Sequence, residues 1–377
     1  MKNISQKVVV LLIILCVGFA VLSPIYAQEI NPATLDEYLR YTALNSPALE
    51  SSFQTWKSAL EQVPQSQALN DPQFNFGYFI REVETKVGPQ QSRIGITQAF
   101  PWFGKLSARG NIAMAKAENA RMAYETVKVN LFSTAKVAWY EFAYMGKALE
   151  LARDNFELMK YYEEIARSKY QGAQASHPDI VRAQIELASL QEVVTSLEAL
   201  RQPQSARLVS IANLPEGTTF DWPVISQADI VMLDRQEIID AVLSANPELR
   251  GMESLIAAGR GQIELAEKQA YPDFAIGVDW IQTGRADMSV PESGKDPVVL
   301  MFSMNLPLWR DKTTAAKRQA VAGLRAVELK KLQMQNDKVA LASELVYKIE
   351  DAHRKMILNQ DTLGVKADEL VKVSEAA

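Results

Sequence analysis

The chain has 377 residues, with 40 Lys and Arg against 45 Asp and Glu, a formal charge of −5 and one cysteine. An acidic balance of that kind gives no support to nucleic-acid binding, which runs on basic surface. A lone cysteine excludes an intrachain disulfide and a thiolate-rich zinc site.

Residues 1–27 carry Lys2 and Lys7, an apolar run over 8–22, and Ile25-Tyr26-Ala27 ahead of Gln28. This pattern reads as a secretory signal peptide cleaved after Ala27. An apolar run of about 15 residues falls short of the roughly 20 that a spanning helix needs. Cys16 lies within this segment, and Leu15 before it argues against a lipoprotein site. Without Lys2 and Lys7 the balance becomes 38 basic against 45 acidic residues, a charge of −7. No other segment is apolar enough for a membrane helix, although membrane strands leave a much weaker signal.

The rest of the chain contains a repeat. Ser46-Pro47-Ala48-Leu49 returns as Asn246-Pro247-Glu248-Leu249, and Asp71-Pro72-Gln73-Phe74 as Tyr271-Pro272-Asp273-Phe274, both 200 residues on. Phe100-Pro101-Trp102-Phe103 returns 206 residues on as Leu306-Pro307-Leu308-Trp309. Each copy predicts a short helix (35–45 and 234–245), then a longer one (47–70 and 247–270), with Pro64 a kink point in the first.

A β-hairpin follows in each copy. Its first strand alternates Phe74, Phe76, Tyr78 and Ile80 with polar residues, and in the second copy Phe274, Ile276, Val278 and Trp280 with Asp273, Ala275, Gly277 and Asp279. The returning strands place Ile94, Ile96 and Phe100 on one face, and Val298, Leu300, Phe302, Met304 and Leu306 on the matching face of the second copy. The intervening segments 82–91 and 282–297 are polar and read as loops. Strands of about 9–11 residues suit a tilted bilayer crossing. Trp102, Phe103, Trp280 and Trp309 fall at strand ends, where an aromatic belt would lie. Four strands cannot close a barrel and open edges cannot stand in lipid, so spanning strands require several chains; three would give twelve strands.

The strand RIGITQAF (93–100) runs through the turn Pro101-Trp102-Phe103-Gly104-Lys105 into a segment free of proline until Pro178. Residues 104–171 therefore read as one helix of roughly 100 Å at 1.5 Å per residue. Its apolar positions run Ala117, Ala120, Tyr124, Val127, Leu131, then Ala135, Ala138, Phe142, Met145, Leu149, Ala152, Phe156 and Met159, heptads with one four-residue stutter. Gly172 stops the helix, and Ser176-His177-Pro178-Asp179 starts a returning one over 178–213. The helices 47–70 and 178–213 together nearly equal the long one in length. They are expected to lie end to end beside it, with 214–233 packed as a belt at their junction.

The order of elements, the duplicated halves, the turn QAFPWFGK and the tip SKYQGAQASHPDIVRAQIEL resemble the TolC-like outer-membrane efflux protein family over residues 35–377. The resemblance implies a mixed α and β fold, with long helical hairpins forming a periplasmic α-barrel. Four membrane strands per chain would contribute to a trimeric, twelve-stranded β-barrel. It implies a homotrimer in outer-membrane lipid, working with a periplasmic adaptor (membrane-fusion) protein and an inner-membrane efflux pump. The domains read as a signal peptide (1–27), a first repeat (28–213), an equatorial linker (214–233) and a second repeat (234–377). That second repeat stops short of its own tip and returning helix, as a fragment would. The lipid-facing residues are Phe74, Phe76, Tyr78, Ile80, Ile94, Ile96, Phe274, Ile276, Val278, Trp280, Leu300 and Phe302. The strand-to-helix turns are Pro101, Trp102, Phe103 and Gly104, with Pro307 and Trp309 in the second copy. The adaptor-docking tip is Gly172, Ala173, Ala175, Ser176 and Pro178. The turn PWFGK resembles the heavy-metal branch of the family more than the drug branch.

No catalytic chemistry, cofactor or resident metal is expected. His177 sits at the tip and His353 on a heptad position, two isolated imidazoles that make no zinc site. No Ser/His/Asp set has supporting context. Most of the twelve methionines fall on packing positions such as Met145, Met159 and Met356. Two functions remain, a passive efflux duct and a periplasmic coiled-coil scaffold or tether.

Overall fold

The computed structural model describes residues 32–174, 176–224 and 234–376. The expected signal peptide with Cys16 lies outside these residues, as do Ala175 and positions 225–233 of the linker. The chain divides into two compact units, one from Met1–Ser46 with Phe132–Ser226, the other from Pro47–Leu131 with Gln227–Ala377. No described helix is long and apolar enough to cross a membrane.

The first unit holds α1 (Leu35–Asn45), the later part of α3 (Lys105–Gln171) and α4 (His177–Ala212). Thr34 and Glu37 form a reciprocal capping box at the start of α1, which satisfies two of its free amide donors. The α1 residue Tyr38 is fully buried, and its hydroxyl donates to the Leu208 carbonyl oxygen at 3.0 Å. Burial pushes this phenol well above its ordinary pKa, so it stays a neutral donor. Its ring stacks on Trp139 of α3 at 5.3 Å, with Phe142, Leu208 and Phe220 completing the core. The segment after α4 begins at Asn213 with a left-handed backbone and lays Leu214, Phe220 and Trp222 against α3. Trp222 stacks on Phe142 at 4.5 Å and covers Gly146, where a Cβ would come within 2.8 Å of the indole. Only glycine permits that approach.

The heptad positions Ala135, Ala138, Phe142, Met145, Leu149 and Ala152 are buried, as the sequence pattern requires. Trp139 and Ala143 are buried as well, outside that stripe, because α1 and the segment after α4 cover a second face of α3.

The second unit holds α2 (Pro47–Gln67), the first part of α3, α5 (Arg235–Ala245), α6 (Pro247–Lys268), α7 (Arg310–Ile357), a wide π turn (Leu358–Leu363), α8 (Gly364–Ala376) and four strands. The helices α2 and α6 end a turn or less before their expected limits at 70 and 270. Pro64 is carried inside α2, which continues to Gln67. In this unit the single heptad stripe fails: Ala117 is buried, while Ala120, Tyr124, Val127 and Leu131 are half-buried. Burial goes also to Ile112, Ala113 and Met122, since α3 packs on α2 through Val63 and on α6 beside Gly251 and Gly261. Two partners need two faces.

The strands β1 (Gln73–Thr85), β2 (Gly88–Phe100), β3 (Phe274–Thr283) and β4 (Val298–Met304) form one antiparallel sheet in sequence order. The expected loop over 82–91 is a correction. The strands continue through it to a two-residue turn, with Val83, Glu84 and Thr85 paired to Gln90, Pro89 and Gly88. Polar composition suggested a loop, but backbone pairing does not need apolar side chains, and Gly88 at φ +131° allows the tight reversal. In turn, the 284–297 segment folds onto this hairpin end, through Gly284 N–H to the Pro89 carbonyl at 2.7 Å and Gly294 N–H to that of Val87 at 2.7 Å. The strand β4 is shorter than expected, and Leu306 falls beyond its end.

Candidate membrane sheet, strand-to-helix turn and helical tip

Pairing registers the apolar residues of the four strands into continuous rows. Phe74, Ile96, Val278 and Leu300 stand directly opposite one another across the whole sheet, and so do Phe76, Ile94, Trp280 and Val298. A further row holds Ile276 and Phe302, and the next joins Phe100, Phe274 and Met304, with the two phenylalanine rings stacked at 5.6 Å. Tyr78 and Ile80 extend the same face of β1. Eleven of the twelve expected lipid-facing side chains are exposed, Phe274 alone being half-buried under its aromatic neighbours. An exposed apolar face this wide has no covering layer among the described residues of its own unit. Water would not tolerate it and lipid would.

Polar side chains share this face at its ends. Ser92 and Gln282 stand in the row of Tyr78, with the Ser92 hydroxyl donating to the Gln282 side-chain carbonyl oxygen at 2.9 Å. Gln98 sits opposite Ile276, and its amide donates to the carbonyls of Asn70 at 2.8 Å and Ala99 at 2.9 Å, which turns its polar end back to the backbone.

The other face carries Gln73, Asn75, Thr97, Ala275, Gly277, Asp279 and Ser303, with the apolar Ile281, Val299 and Met301 among them. Asp279 is 1% exposed and forms an ion pair with Arg93 of the neighbouring strand. Gly95, opposite Asp279, leaves the room that this carboxylate occupies. Arg93 also donates to the Met301 sulfur at 3.4 Å. The sequence alternation showed Asp279 and Arg93 on the polar face, but only the β2–β3 register reveals them as partners.

At one end of the sheet the turn Pro101-Trp102-Phe103-Gly104 leads into α3, with Gly104 at φ +82°. Here sequence reasoning missed the residues that hold the joint. Lys105 is 4% exposed, and its ammonium donates to the Tyr271 carbonyl at 2.9 Å and to Asp273 at 2.8 Å. The same Asp273 oxygen accepts from Trp102 N–H at 2.7 Å, and the Trp102 ring stacks on Tyr271 at 5.4 Å. Burial alone would raise the Asp273 carboxyl, but the hydrogen bonds from Lys105 and Trp102 outweigh it and hold the pKa below the ordinary range. The repeat was the available signal: YPDF of the second copy meets PWFGK of the first. In the second copy Pro307 is half-buried and Trp309 exposed, just before α7.

The tip lies between α3 and α4. The helix ends through Gly172 N–H to Ser168 O at 3.1 Å and Gln174 N–H to Lys169 O at 2.8 Å. The left-handed residue is Ala173 at φ +58°, not Gly172, on which the stop was expected. Asp179 accepts from Ser176 N–H at 3.1 Å and from its hydroxyl at 2.6 Å, which keeps this carboxyl below its ordinary range and fixes the start of α4, with Pro178 in the first turn. His177 sets its ring edge-on to Tyr170 at 5.8 Å. Ala175 is outside the described residues. Among the described residues no three His, Cys, Asp or Glu side chains gather as a metal group would need.

A four-stranded sheet with one largely apolar face, each hairpin feeding a long helix, defines a chain of mixed α and β fold. The sequence model described as Outer membrane efflux protein matches residues 39–214. Protein CyaE of Bordetella pertussis is 22% identical over 326 residues, covering 84% of this chain and 68% of that protein. The outer-membrane channel OprN shares the fold at a TM-score of 0.69 and 16% identity, over 90% of this chain and 79% of that one. The open-state MtrE outer membrane channel of Neisseria gonorrhoeae matches at 0.70 and 14%, over 91% of this chain and 80% of that one. Residues 39–214 thus match the outer membrane efflux protein family, and the chain shares the fold of solved outer-membrane channels.

Proposed function

We propose that the protein is the outer-membrane duct of a tripartite efflux system, a homotrimer whose four strands per chain close a twelve-stranded barrel. The observation that carries this reading is the apolar face of the sheet, continuous across all four strands and flanked by two unpaired edges. A coiled-coil scaffold would account for the helices but would leave that face in water. The polar face, with Asp279 and Arg93 on it, then lines an aqueous lumen.

Transport through such a duct is passive. The helical tip at Gly172, Ala173, Ala175, Ser176 and Pro178 meets a periplasmic adaptor, and an inner-membrane pump supplies the energy. The cargo we assign is heavy-metal ions, as substrate in transit; the turn at 101–105 is the sequence feature behind that assignment. The domain limits at 28–213, 214–233 and 234–377 follow from the same duplication, one channel repeat on each side of a linker.

The test is complementation. A strain lacking its own duct is given this chain, and survival is scored in copper, zinc and silver salts alongside a panel of organic toxicants. Restored resistance to a metal salt with the protein in the outer-membrane fraction supports the reading. Protein that washes off with salt and restores nothing would refute the duct.

A further inference from the structure

A cavity of about 540 Å³ opens in the first unit between α3 and the segment that follows α4. Part of its wall is apolar, built by the buried Leu149 of α3 with Trp222, Pro223 and Val224. Two neighbours hold the indole in place. Phe142 stacks on it at 4.5 Å, and the Arg201 guanidinium of α4 stands 5.1 Å from its ring while donating to the Phe220 carbonyl at 3.0 Å. Arg201 itself does not line the cavity, and Gly146, which does, contributes no side chain to fill it. The space is therefore shaped before any ligand arrives, and its volume suits a small molecule.

The rest of the wall is charged and comes from α3 at helical spacing: Lys147, Glu150, Arg153 and Asp154. Lys147 pairs with Glu150 at 2.7 Å, and Arg153 with Glu198 of α4 at 2.5 Å. Those two pairs cancel. Of the four, only Asp154 makes no ion pair or hydrogen bond among the described residues, so the cavity keeps one uncompensated carboxylate beside its apolar wall. An anion would meet that carboxylate unfavourably. A bare metal ion would need several more ligands than one carboxylate supplies, and no such group gathers among the described residues. The arrangement complements an ammonium ion carried on an aromatic or aliphatic body.

We infer that this cavity binds a small organic cation, with its body against Trp222 and Leu149 and its charge toward Asp154. The inference stands apart from the efflux reading, because cavity and carboxylate both belong to the first unit and neither requires the membrane sheet.

Fluorine resonances of the whole chain labelled with fluorotryptophan provide the test. The chain has six tryptophans, and the line lost in Trp222→Phe assigns Trp222. Benzyltrimethylammonium is the probe, and benzylsulfonate carries the same apolar group with the opposite charge; both are titrated at low ionic strength, where charge selection is least screened. Benzyltrimethylammonium should move the Trp222 line saturably, and benzylsulfonate should leave it in place. Asp154→Asn should weaken the binding about two- to fivefold, and Asp154→Lys further. Asp154 is exposed on α3, so neither substitution disturbs the core, and unchanged positions of the other tryptophan lines verify the fold. An equal response to the two probes, or unaltered affinity in Asp154→Lys, overturns the assignment of a cation. No movement of the Trp222 line, as when another segment fills the cavity, overturns the site altogether. Either failure leaves the duct reading to its own complementation test.

Discussion

Val278→Arg places a guanidinium in the middle of β3, between Ile96 and Leu300 on the apolar face. Val278 is 43% exposed in the isolated chain, so lipid takes up rather less than half of its side chain. At about 1.5–3 kcal/mol for full burial of such a side chain, the lost transfer is about 1 kcal/mol. An arginine at the bilayer midplane adds about 2–4 kcal/mol. The expected cost is therefore about 3–5 kcal/mol per chain, enough to deplete a channel of ordinary stability. Ala275→Arg lies on the opposite face beside Ala99 and Ser303, where water in the lumen should keep the change within about 0.5 kcal/mol. Urea unfolding of protein folded into lipid vesicles, followed by gel mobility, measures the difference. Equal midpoints for the two variants would refute the assignment of faces.

The Lys105–Asp273 joint predicts a pH dependence: with its carboxyl pKa lowered in the fold, Asp273 contributes stability that is present above the ordinary carboxylate range and lost as pH falls through the folded value. Asp273→Asn should flatten that acid limb of a thermal-melt series, and an unchanged limb would count against the joint. Gly146→Leu should cost at least about 1–3 kcal/mol by driving Trp222 off α3, read as a lowered melting temperature with loss of near-ultraviolet signal from the indole. A neutral effect would mean that Trp222 does not pack there. At the tip, Trp at both Ala173 and Ala175 should abolish resistance while leaving outer-membrane levels unchanged. Full resistance would show that adaptor docking lies elsewhere.

How much was legible depends on the range of the interaction. The 67-residue α3 and the 11-residue α1 follow from missing breakers and from caps, which are local signals. Which residues share the largely apolar face of the sheet followed from period two. The burial pattern of α3 within the second unit did not, because two helices share its surface and a one-stripe heptad has no place for Ile112 or Met122. The Lys105–Asp273 and Arg93–Asp279 pairs join residues more than 160 positions apart, and charge type alone does not select partners at that distance. The hairpin over 82–91 was hidden by composition, since its pairing is carried by the backbone.

The central claim is that these strands cross a bilayer with one face to lipid. Single cysteines at each position of β3, labelled with an environment-sensitive fluorophore in the folded membrane protein, report that face directly when a quencher is attached to the lipid chains. Quenching should alternate along the strand, strong at Ile276, Val278 and Trp280 and weak at Ala275, Gly277 and Asp279. A flat profile, or one with the opposite phase, would contradict the account.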